Sequence, residues 1–150
     1  MNIRKLVKGE KPPIELLLTA DPSKLIVEEY VNRGDCFVAE NERKIIGVYV
    51  LRPTRPETVE LVNIAVVANQ QGKGIGKQLV EDAIQKARLK GFQTIEIGTG
   101  NSSIGQLALY QKCGFRIIGV DIDFFTKHYL EEIFENGIHC RDMIRLSQNV

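Results

Sequence analysis

Apolar positions recur along this chain with two different periods, and the switches between them mark out the expected elements. Residues 2–8, NIRKLVK, alternate apolar and polar and predict a short strand. Residues 11–34, KPPIELLLTADPSKLIVEEYVNRG, read as helical. Pro12 and Pro13 suit a first turn, Asp21 ahead of Pro22 is a candidate cap, and Gly34 ends the region. Residues 35–53 read as two strands around a polar turn at Asn41 and Glu42, with Pro53 and Pro56 breaking the second. TVELVNIAVV, residues 58–67, is rich in β-branched side chains and apolar on both faces, which places it in the middle of a sheet. From Ile75, the positions Leu79, Val80, Ala83, Ile84 and Ala87 follow at helical spacing until Gly91. A strand QTIEIGT, a helix from about Ser103 to Lys112 and a strand GFRIIGVD come next. TKHYLEEIFENG reads as weakly helical and IHCRDMIRL as a final strand. Strands and helices therefore alternate, and the predicted class is α/β or α+β with a mixed sheet.

Composition narrows this picture without changing it. The 150 residues suit one domain with its own core, and no repeat or linker divides them. With 43% apolar and 26% charged residues the chain has the balance of a soluble globular protein. A net charge of +1 offers no basic excess for nucleic acid. No apolar run reaches membrane-spanning length, and the N-terminal segment lacks the apolar stretch of a secretory leader. Cys36, Cys113 and Cys140 are odd in number and far apart, and His128 and His139 are too few to build a metal centre with them. The expectation is a cytoplasmic protein with reduced thiols and no metal.

Chemistry enters at NQQGKGIGKQ, residues 69–78, between the central strand and the amphipathic helix. Glycine-rich backbone at a helix N-terminus can receive an anion. A P-loop ending at Gly76 and Lys77 would have Gln71 in place of its glycine and Gln78 in place of its hydroxyl residue. A dinucleotide fingerprint fails as well, because Lys77 or Leu79 falls on the third glycine position. What remains is Gln/Arg-x-x-Gly-x-Gly/Ala, carried by Gln71, Gly74 and Gly76. Downstream, LALYQKCGF, residues 107–115, supplies Leu-Tyr-x-x-x-Gly-Phe. With the strand QTIEIGT between them, these two motifs resemble the GNAT superfamily of N-acetyltransferases.

That resemblance implies a mixed, strongly twisted central sheet flanked by helices, with acetyl-CoA as co-substrate and no metal. It implies that the backbone from Gln71 through Gly72, Lys73, Gly74, Ile75 and Gly76 to Lys77 grips the pyrophosphate. Ile64, Ala65 and Val66 would pair with the pantetheine arm as an added strand does. An amide near Val66 or Val67 would steady the thioester oxygen as it gains charge. Tyr110 becomes the expected general acid for the departing thiolate. Reference pKa values of about 10 and about 8.5 make that transfer uphill by roughly 2 kcal/mol, so its help is modest. Glu60, eleven residues before Gln71, is the expected general base. Ser103 stands where many members carry a cofactor-contacting asparagine, with Asn101 two residues earlier, and both also suit helix capping.

The expected reaction is acetyl transfer to a primary amine of a small molecule by direct attack in a ternary complex. A non-catalytic acyl-CoA-binding sensor or interaction module stays open, as does a protein or peptide N-terminus or lysine as acceptor. Candidate acceptor-site residues are Tyr30, Arg52, Phe124, Phe125, Tyr129 and His139. A polycationic acceptor would draw on Glu28, Glu29, Glu57 and Glu60, and an acidic one on Arg52. A homodimer is a family expectation.

Overall fold

Tight turns make the first half of the chain an antiparallel sheet. In the computed structural model, which describes residues 1–150, β1 (Asn2–Lys5) is followed by α1 (Ile14–Ala20) and α2 (Lys24–Arg33). Next come β2 (Asp35–Asn41), β3 (Lys44–Arg55) and β4 (Thr58–Val66). Glu42 and Arg43 join β2 to β3 with φ of 51° and 67°, the left-handed conformation that two-residue hairpin turns need. Then α3 (Ile75–Leu89) crosses over to β5 (Thr94–Gly100), which lies parallel to β4. The remaining elements are α4 (Ile104–Lys112), β6 (Arg116–Asp121), α5 (Phe124–His128), β7 (Ile133–Glu135), β8 (Ile138–Cys140) and β9 (Met143–Asn149).

Seven strands form one mixed sheet in the order β1-β2-β3-β4-β5-β9-β6, and β7 and β8 form a separate hairpin. Here β9 inserts between β5 and β6 and is antiparallel to both. One apolar layer packs under α3 and holds Leu79, Val80, Ala83 and Ala87 against Val59, Leu61, Ile95 and Leu146. The other places Leu17 of α1 and Val27 of α2 on Val38, Val48 and Val50. The helical spacing read from Ile75 thus picks out the buried face of α3. No helix is long and apolar enough to cross a membrane.

The structure corrects several boundaries. The cap of α2 is Ser23, whose hydroxyl accepts from the Ile26 amide, and Asp21 instead ends α1. Pro53 does not stop β3, which runs on to Arg55; pairing with β2 ends at Leu51, so one edge of Pro53 has no neighbour needing a donor. Residues 126–137 are not one helix. Asn136 and Gly137, with φ of 55° and 72°, make a hairpin turn, and Ile133–Glu135 pairs with Ile138–Cys140 as β strands. The predicted last strand is likewise two, β8 and β9, separated at Arg141 and Asp142.

Candidate active site

The site begins where the sheet opens. β4 and β5 pair only from Thr58 and Thr94 to Leu61 and Ile97. Beyond that, β4 stays on β3 as far as Val66 opposite Gly47, while β5 stays on β9 as far as Gly100 opposite Met143. A cleft therefore separates two strands whose outer edges remain paired. The Val67 amide donates to Ile46 O at 2.9 Å, so alternation along the strand turns Ala65 toward β3. Ile64 and Val66 consequently direct their backbone N–H and C=O groups into the cleft. The Gln71 side chain donates to Val66 O at 3.0 Å and ties the glycine loop to this strand end.

Gly72 and Gly74 adopt φ of 79° and 82°. A Cβ at either would meet no atom within 4 Å, so backbone conformation rather than crowding calls for glycine there. Gly74 is the N-cap of α3, no side chain caps that helix, and its first turn carries no acidic residue. The leading amides of α3 are thus free and carry the positive end of the helix dipole. Lys73 Nζ lies 3.4 Å from the Gln70 side chain, and Lys77 is paired loosely with Glu81 at 3.9 Å.

A cavity of about 340 Å³ runs from this loop along β4, walled by Gln71, Gly72, Ile75 and Gly76, by Ile64, Ala65 and Val66, and by Leu109 and Tyr110 of α4. A second cavity of about 500 Å³ lies beyond it and shares Thr19, Ala20, Ile64, Gln106 and Tyr110 with the first. Tyr110 is only 3% exposed and meets the Phe115 ring edge-on at 6.2 Å. Tyr110 lines both cavities, its hydroxyl makes no hydrogen bond to the protein, and burial moves its pKa further above neutrality.

A splayed pair of parallel strands, a left-handed glycine before a helix and a buried tyrosine between two cavities form one apparatus. Residues 3–115 match the sequence model of the Acetyltransferase (GNAT) family. The chain belongs to that family.

The uncharacterized N-acetyltransferase YvbK of Bacillus subtilis (strain 168) is 62% identical to this GNAT protein over 97% of both chains. A GNAT family acetyltransferase from Elizabethkingia anophelis, solved with acetyl-CoA bound, is 48% identical with a TM-score of 0.97 over 99% of this chain and 97% of that one. An IAA acetyltransferase from Bacillus cereus ATCC 14579 is 54% identical with a TM-score of 0.96 over 99% of each chain. This GNAT chain is accordingly an acetyl-CoA-dependent acyltransferase.

Other expected site residues fall in less direct places. Glu60 lies outside the walls of both cavities, beside Leu61 and Val62, which line the larger one. Its carboxylate is 3.8 Å from Arg52, which also approaches Glu29 at 3.6 Å. Burial raises the Glu60 pKa above the carboxylate range, opposed by the charges of Arg145 and Arg52. Ser103 lines the larger cavity, and its hydroxyl donates to Glu135 at 2.9 Å. Asn101 anchors the C-terminal hairpin. Its Nδ2 donates to His139 O, and its Oδ1 accepts from the Arg141 and Asp142 amides.

Of the acceptor-site candidates, Phe125 and Tyr129 line the larger cavity, whereas Arg52, Phe124 and His139 do not. Tyr30 stands behind the wall, donating to Asp21 at 3.2 Å and accepting from Asn63 at 2.6 Å. Tyr129 reaches Asp21 from the other side of the cavity at 2.9 Å. Asp21, Asn63, Gln106, Glu132 and Glu135 escaped sequence reasoning. Asn63 carried a signal, as the one amide side chain within an apolar central strand.

Proposed function

We propose that this enzyme binds acetyl-CoA along the cleft and transfers its acetyl group to the primary amine of a small molecule within a ternary complex. Support comes chiefly from Tyr110, which has an unpartnered hydroxyl and lines both the cavity at the glycine loop and the larger one. The pyrophosphate takes the loop backbone from Gln71 to Lys77, where the amides of Ile75 to Lys77 are free at the head of α3. Pantetheine pairs with the edge that Ile64 and Val66 leave open. The Val67 amide is already bonded to Ile46, so Val66 is the amide left to steady the thioester oxygen.

The amine nitrogen attacks the acetyl carbon, the C–S bond breaks, and the thiolate takes the Tyr110 proton. Glu60, beside the cavity floor at Leu61 and Val62, receives the ammonium proton through water. Its raised pKa suits a base better than an ordinary carboxylate. A cavity of about 500 Å³, partly enclosed between the α1–α2 corner and the hairpin, has the size of a small-molecule site.

Thiol release from acetyl-CoA over a panel of amines, with product masses, tests the proposal. Acetylated amine from the wild type, with turnover lowered in Tyr110→Phe, is the expected result. Acetyl-CoA binding without transfer to any amine would overturn it in favour of an acyl-CoA-binding module.

A further inference from the structure

The charged side chains of the larger cavity are all of one sign. Its wall contains three carboxylates, Asp21, Glu132 and Glu135, and no lysine, arginine or histidine. Several donors around it are committed to protein partners: the Tyr30 and Tyr129 hydroxyls to Asp21, Ser103 to Glu135, and Asn63 Nδ2 to Leu17 O and the Tyr30 oxygen, whereas Tyr110, Thr99 and Gln106 keep neutral donors free. Asn63 is only 4% exposed, lines this wall and has an Oδ1 with no partner. A buried amide oxygen left unpaired costs stability unless something donates to it. Glu132, at the exposed mouth, has no ion pair.

The nearby cations are engaged elsewhere. Arg52 lies with Glu29 and Glu60, Arg145 with Asp121, and Arg141 with Asp123, all outside the cavity wall. A carboxylate on the acceptor would therefore enter a negative space with no cation on its wall to offset the loss of hydration. A second ammonium would find the opposite conditions. Glu28, Glu29, Glu57 and Glu60 contribute nothing to this wall.

Resting on the transfer reaction above, we propose that the acceptor is a linear diamine or polyamine. One nitrogen faces Tyr110, and the second, charged nitrogen is held by the acidic mouth at Glu132 and Glu135. The alkyl stem between them lies along Phe125 and Ile133. Asn63 Oδ1 and Asp21 make the inner wall selective for an N–H-bearing ligand over an anionic one.

Calorimetric titration of 1,4-diaminobutane, 1-butylamine and L-aspartate into the protein saturated with CoA tests this without depending on turnover. The diamine is expected to bind about tenfold more tightly than the monoamine, and aspartate not measurably, as opposed charges in a partly enclosed site require. Glu132→Gln, at an exposed position, should narrow the diamine preference about threefold, and added salt should narrow it further. Equal binding of mono- and diamine, or preference for aspartate, overturns the inference even if acetyl transfer to amines is observed. A diamine that binds selectively yet is never acetylated leaves the cavity's preference for a second ammonium standing and overturns the transfer reaction instead.

Discussion

The two cavities that meet at Tyr110 are built in contrasting ways. The one along the glycine loop is made chiefly of main chain: free amides at the head of α3, open strand groups at Ile64 and Val66, and glycines whose task is conformational. The larger one is made of side chains brought from the α1–α2 corner, β4, β5 and the C-terminal hairpin. A main-chain site tolerates sequence change at most positions and serves a constant ligand. A side-chain site can be rebuilt residue by residue for a different acceptor on the same scaffold.

If that contrast holds, damage to one cavity should leave the other's ligand largely unaffected. The largest effect is expected from Gly74→Glu, which forces a side chain into φ of 82° and points a carboxylate at the pyrophosphate amides. Acetyl-CoA affinity by calorimetry should fall by about 100-fold or more, with amine binding to the free enzyme changed far less. Tyr110→Phe, at the junction, should lower kcat by about 10- to 100-fold while the Kd for acetyl-CoA stays within about twofold. Because that hydroxyl bonds no protein group, Tm should hardly move.

Asn101→Ala attacks the larger cavity from behind. Three hydrogen bonds to the segment 139–142 are lost, worth about 2 kcal/mol together, so Tm falls and KM for the amine rises while acetyl-CoA affinity holds. The smallest effect belongs to Glu60. Its raised pKa puts the acid limb of kcat/KM above the ordinary carboxylate value of about 4.3, with activity falling as pH drops through that limb. Glu60→Gln should remove the limb and cost only a few-fold at high pH, where the amine loses its proton unaided. A limb unchanged in that variant would show that water alone takes the proton.

The same contrast explains what the sequence disclosed. The glycine loop, the buried face of α3 and the Tyr110 position are local patterns within a few turns of chain, and each is found where its pattern places it. Asp21 looked like a helix cap because its neighbour is proline, yet its carboxylate accepts from Tyr30 and from Tyr129, 108 residues away. Asn101 sits near an expected cofactor position but serves the hairpin, through contacts 38 to 41 residues distant. Residues 133–135 hid their strand because it is only three residues long, too short for a period to show. Long-range partners decide the acceptor side, and no local period reports them.

The placement of β9 between β5 and β6 also sets an order of assembly during synthesis. Until residues 143–149 have emerged from the ribosome, β5 keeps one bare edge and β6 has no partner in the sheet. The glycine loop, α3 and the paired part of β4 and β5 can form earlier, since apart from Leu146 their core partners lie within residues already made. A nascent chain could thus cradle its nucleotide-bearing thioester before Met143 completes the wall that chooses an acceptor, and selectivity would be the last property the newborn enzyme acquires.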